Sequence, residues 1–137
     1  MKNTYKILLF LFLTVTYSKS NAQLDTLNYL KTNFEIQKSE YIGKPFSYLL
    51  SKMNQIQPKT AWSQSGSWKK NERNSTDFRF TFMEASFRNV INLTIIWQEA
   101  VPANDVKYLQ NKNGFYFTND EKNFYGNKIV KDIRVYR

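Results

Sequence analysis

The apolar residues change their period at Pro58, and that change limits the folds open to the chain. Before it, Phe46, Leu49, Leu50, Met53 and Ile56 recur at i, i+3, i+4, i+7 and i+10, the stripe of an amphipathic helix. Pro45 suits the first helical turn, where a missing N–H costs nothing, and Pro58 stops the run. Upstream, Leu27, Leu30 and Phe34 predict a helix from Asp25 to about Lys38, with Asp25 as its cap.

After Pro58 the period is two. Phe78, Phe80 and Phe82 alternate with Asp77, Arg79 and Thr81, and Leu93, Ile95 and Trp97 alternate with Asn92, Thr94 and Ile96. Each run reads as a half-buried strand. Glu84 to Asn89 is short enough for a hairpin connection between them. Ala61 to Trp68 predicts an earlier strand, with a bend at Gly66 and a polar turn over Lys69 to Ser75. Ile133 and Val135 share one face of a last strand over Lys128 to Tyr136. Between them, Pro102, Val106 and Leu109 suggest a helix ending near Gly114, and Thr118 with Glu121 forms a capping-box pattern. Helices followed by hairpin-joined strands imply an α+β domain: two N-terminal helices packed on a mainly antiparallel sheet of about four strands. Phe46, Leu49 and Met53 should cover a sheet face of Phe78, Phe80, Leu93 and Ile95, leaving the other face partly wet.

Residues 1–22 read as a secretory signal peptide. Lys2 and Lys6 precede the apolar run Ile7 to Val15, and Ser20 and Ala22 occupy −3 and −1 of a cut before Gln23. The run is roughly half of the ~20 residues that a membrane span needs. The expected mature chain, 23–137, is one domain, exported to the periplasm or the extracellular space. It keeps 17 basic against 11 acidic residues, a charge of +6.

The chain has no Cys and no His. A disulfide framework, a thiolate nucleophile, an imidazole base and a zinc site of the usual ligands are therefore excluded. No cofactor or metal motif is present. Asn119-Asp120-Glu121 lacks the alternating oxygens of a calcium loop. Ser67-Trp68-Lys69-Lys70 matches S-x-x-K in spacing, but Gly66 before it and a charged turn after it do not make the helix that such a Ser–Lys pair requires. Glu84, Glu99, Asp120, Glu121 and Asp132 are the acids from which a glycan-cleaving pair would have to come. Asn74-Ser75-Thr76 and Asn92-Leu93-Thr94 match the N-glycosylation acceptor.

The stretch from Trp62 to Arg79 is the most informative. Trp62, Trp68, Lys69, Lys70 and Arg73 place indole rings among cations, a combination that can stack sugars, bind an anionic polymer or anchor a protein partner. The competing reading is burial: a spacing of six puts Trp62 and Trp68 on one face of a regular strand, facing the core.

Tyr41-Ile42-Gly43-Lys44-Pro45-Phe46 leading into Leu49-Leu50, and Ile129 to Tyr136, are similar to segments of small secreted proteins of Bacteroidota. The Lys- and Asn-rich composition and the Ala22-Gln23 junction carry the same resemblance, which implies export and no particular activity. The expected function is that of an exported, non-enzymatic domain that contacts a protein or a cell-envelope glycan. The alternative is a small hydrolase or lyase acting on cell wall or glycan through carboxylates, Tyr or Lys. Dispersed Lys and Arg give no strong nucleic-acid signal.

Overall fold

In the computed structural model, which describes residues 25–65 and 70–137, four strands form one antiparallel sheet in chain order. They are β1 (Thr60–Gln64), β2 (Glu72–Arg79), β3 (Asn92–Pro102) and β4 (Val130–Tyr136). Directly paired residues share a sheet face. One face therefore carries the rows Ala61–Phe78–Leu93–Val135 and Ser63–Thr76–Ile95–Ile133. All but Ser63 of these are buried. The expectation of an α+β domain with four antiparallel strands holds.

Helices α1 (Thr26–Leu30), α2 (Phe46–Lys52), α3 (Ala103–Asn113) and α4 (Asn119–Gly126) supply the opposing apolar layer. Asp25 caps α1 by accepting the Asn28 N–H at 3.1 Å. The helix then widens into a π-turn over Lys31–Glu35, closed by Ile36 N–H to Lys31 C=O at 2.9 Å. Helix α2 is shorter than its stripe implies. Met53 leaves helical geometry, and the Gln57 side-chain amide donates to the freed carbonyls of Leu50 and Met53, so Ile56 lies beyond the end. Both predicted elements of 102–126 form: Gly114 ends α3 in the left-handed region, and Thr118 and Glu121 close the capping box of α4.

Phe46 sits at the centre of the core. Its ring stacks on Phe78 at 4.5 Å and meets Trp97 edge-on at 5.5 Å. Trp97 in turn stacks on Tyr125. The polar atoms at this depth are paired, as buried polar groups must be. Trp97 Nε1 donates to Thr76 Oγ1, and Ser63 Oγ bonds both Thr76 Oγ1 and the Tyr125 hydroxyl at 2.8 Å. Burial holds the Tyr125 hydroxyl above the usual tyrosine range, against the lowering by its Ser63 and Thr76 hydrogen bonds.

Both sheet edges are partly covered. Residues 115–117 lie along β1, with Ala61 N–H bonded to Phe115 C=O and Phe117 N–H to Lys59 C=O. On the other side, Gly43 N–H donates to Val130 C=O, Val130 N–H to Lys44 C=O, and the Val135 N–H to the Glu35 carboxylate at 2.7 Å.

The β2–β3 connection departs from expectation. Strand β2 begins at Glu72, inside the predicted turn, and ends at Arg79, so Phe80 and Phe82 lie beyond the sheet. The chain between Arg79 and Asn92 folds back as a loop with a 3-10 turn at Met83–Ala85. The Ser86 hydroxyl pins it by donating to Phe82 C=O at 2.9 Å.

Candidate binding surface

Because Ala61 points into the core, its neighbour Trp62 points the other way. It heads the outer row Trp62–Asp77–Thr94–Arg134, beside the row Thr60–Arg79–Asn92–Tyr136. Trp62 is half-buried there, so the core-facing position suggested by its spacing from Trp68 is not the one observed.

Trp62 is clamped. Phe115 stacks on one face of the indole, with ring centroids 4.3 Å apart and planes 19° from parallel. The Arg79 guanidinium lies 4.7 Å over the ring and takes the other face, since one face of an indole cannot hold both groups. The Phe87 ring meets Trp62 edge-on at 5.7 Å. Trp62 Nε1 donates to the buried Thr60 Oγ1 at 3.1 Å. With both faces occupied, this indole is not a platform on which a sugar ring stacks.

Each clamp member is fixed from beneath. Phe115 has φ +66°, a left-handed conformation that a bulky side chain adopts at a cost of about 1–3 kcal/mol. It follows Gly114 at φ +59° and is held by its bond to the β1 edge. Arg79 donates from Nε to Asn92 Oδ1 at 2.9 Å and from Nη1 to Ser86 C=O, tying strand to loop. Next along the row, Asp77 is 1% exposed. Its carboxylate accepts from Thr94 Oγ1 at 2.6 Å, from the Tyr136 hydroxyl at 3.2 Å and from the Gln64 amide.

On this fixed base the loop presents two phenylalanines to solvent. Phe82 is 61% and Phe87 69% exposed. Lys59 Nζ lies 5.4 Å over the Phe82 ring, and Tyr116 is exposed beside Phe115.

The structure distributes the residues singled out by sequence. Trp62 is in the cluster. Lys70 is exposed, and Arg73 Nη1 is tied to its own turn through Lys70 C=O and Glu72 C=O. Arg73 stands four residues along β2 from the Asp77 that pairs with Trp62, so it does not join the clamp. Trp68 and Lys69, with Ser67 of the S-x-x-K match, lie outside the described residues. So does the predicted signal peptide. Sequence reasoning missed Phe82 as an exposed group, Phe87 and Phe115. The available signals were an aromatic in a polar loop and one immediately after a helix-ending glycine.

Most of the acids are engaged structurally. Asp120 pairs with Lys112 at 2.8 Å, and the hydrogen bond from that ammonium holds its carboxyl below the usual range. Glu121 accepts the Thr118 N–H and the Asn113 amide. Burial pushes the Asp132 carboxyl up, but Lys38 at 2.6 Å, the Ile133 N–H and Arg134 together bring it below the usual range. Among the described residues no group of three His, Cys, Asp or Glu gathers as metal ligands, and no helix is long and apolar enough to cross a membrane. An open cleft of about 470 Å³ lies beside the β3–β4 pairing, lined by Gly43, Gln98, Glu99, Asn127, Lys128 and Ile129. No family model, curated protein or solved structure matches the chain.

Proposed function

We propose that this chain is an exported, non-enzymatic interaction domain that docks a protein partner on the loop and sheet surface around Trp62. One observation carries the reading. Phe82 and Phe87 are held out in solvent by a loop that Arg79 and Ser86 fix to the sheet. Rigid exposed aromatics supply large contact area with little ordering cost, which is why aromatic anchors dominate protein interfaces. A glycan platform is less well supported, because both faces of Trp62 are in use. The signal-peptide pattern of residues 1–22 supports a periplasmic or extracellular location, and the resemblance to secreted Bacteroidota proteins supports the same compartment.

Photo-crosslinking tests this. With a benzophenone side chain at position 87, discrete protein adducts are expected in the exported fraction. The same group at the exposed Tyr108 of α3, which takes no part in the ring and cation contacts of the cluster, should give none. Equal adducts from both positions, or adducts to glycan from position 87, would overturn the assignment.

A further inference from the structure

We infer that the partner's docking segment is acidic and carries an apolar anchor. The inference rests on the protein-binding reading above and specifies its chemistry. Lys59 and Arg79 lie over aromatic rings, Phe82 and Trp62 respectively, and Arg88 adjoins Phe87 in the chain. None of the three has a carboxylate partner among the described residues. The nearest acid on the sheet, Asp77, is buried, and its carboxylate is taken up by Thr94, Tyr136 and Gln64. Glu84 is the exposed acid of the loop. The surface thus combines two exposed phenylalanines with the exposed cations Lys59 and Arg88, and Glu84 is its exposed acid. A segment that places an apolar side chain against Phe82 or Phe87, and carboxylates toward Lys59 and Arg88, complements it in both respects. Rim charges of this kind set partner choice and association rate.

An anionic bilayer offers related chemistry, since exposed phenylalanines beside cations also seat loops in lipid. Glu84 argues against it. This exposed carboxylate lies between Phe82 and Phe87 in the chain and opposes a continuous anionic surface over the whole loop, whereas a segment can direct its carboxylates to Lys59 and Arg88 and leave Glu84 unfaced.

Selection of random twelve-residue peptides against the immobilised protein tests the inference. Sequences enriched in Asp and Glu around one Phe, Leu or Trp are expected. Their affinity should fall at least tenfold in F82S/F87S and fall steeply with added salt. K59E/R88E should weaken them by a similar factor while leaving the circular dichroism of the fold unchanged. Enrichment of neutral or basic peptides that still need Phe82 and Phe87 would overturn the acidic assignment and leave the protein-binding reading standing. Binders indifferent to F82S/F87S, or none at all, would overturn both. Binding of phosphatidylglycerol vesicles that F82S/F87S abolishes, without peptide binding, would transfer the surface to a membrane and refute both.

Discussion

Replacing Arg79 with methionine removes the group that joins the sheet to the exposed loop while keeping most of its bulk. Three contacts go together. The cation–π contact with Trp62 at 4.7 Å is worth about 0.5–1 kcal/mol at a partly exposed site. The two hydrogen bonds from the guanidinium, to Asn92 Oδ1 and Ser86 C=O, contribute about 1.5 kcal/mol each at the low end for a charged donor. Asn92 is itself buried, so its freed oxygen is not rehydrated without movement. The expected loss is about 3.5–4 kcal/mol, which is a large part of the ~5–15 kcal/mol that stabilises a typical domain. Urea unfolding followed by circular dichroism should show the midpoint falling with the slope unchanged. Arg79→Lys should recover only part of the loss, because an ammonium does not reproduce the fork of two fixed donors. Amide exchange over residues 83–89 should accelerate in Arg79→Met well beyond the change in the strands. A loss under about 1 kcal/mol, with exchange of the loop unaltered, would show that the clamp does not hold the loop.

Other outcomes follow from the same structure. F82S/F87S should cost about 0.5–1.5 kcal/mol, chiefly the edge-on contact of Phe87 with Trp62, since both rings are otherwise mostly in solvent; a larger fall in the urea midpoint would mean that they pack structurally. Phe46→Ala should cost about 3–5 kcal/mol, because the ring is fully buried between Phe78, Trp97 and Phe117, and a smaller loss in thermal unfolding would contradict that packing. Thr118→Ala should cost about 1 kcal/mol by removing the side chain that caps α4, measurable as a lower urea midpoint. Asp132, whose carboxyl is held low in the folded state, contributes stability that is present above the unfolded-state pKa and lost as pH falls through the folded one. Asp132→Asn should therefore flatten the acid limb of the stability–pH curve, and an unchanged limb would refute the Lys38 pairing.

The inner half of this protein was legible because burial repeats with the period of the backbone. Leu93, Ile95 and Trp97, and Ile133 with Val135, were placed on the core face by alternation alone, and Thr118 with Glu121 announced α4 by its capping chemistry. Alternation misled where no sheet continues. Phe78, Phe80 and Phe82 look like one strand face, but only Phe78 is fully buried; Phe80 packs half-buried against the core and Phe82 lies in solvent, because side-chain bonds from Arg79 and Ser86 fold the chain back. In the sequence the apparent neighbour of Trp62 is Trp68, six residues away, whereas its actual neighbours Arg79, Phe87 and Phe115 come from three other segments. Nothing in a linear pattern brings those together. The cluster depends on the antiparallel register of β1 with β2 and on the strap at 115–117, which are tertiary facts.

Amide chemical-shift mapping on the isotope-labelled protein, titrated with its tightest selected peptide, locates the binding surface directly. The shifts should concentrate at residues 59–62, 79–88 and 115–116. Shifts concentrated instead around Gly43, Gln98 and 127–129, with the Trp62 surroundings unmoved, would place recognition in the β3–β4 cleft and contradict the account.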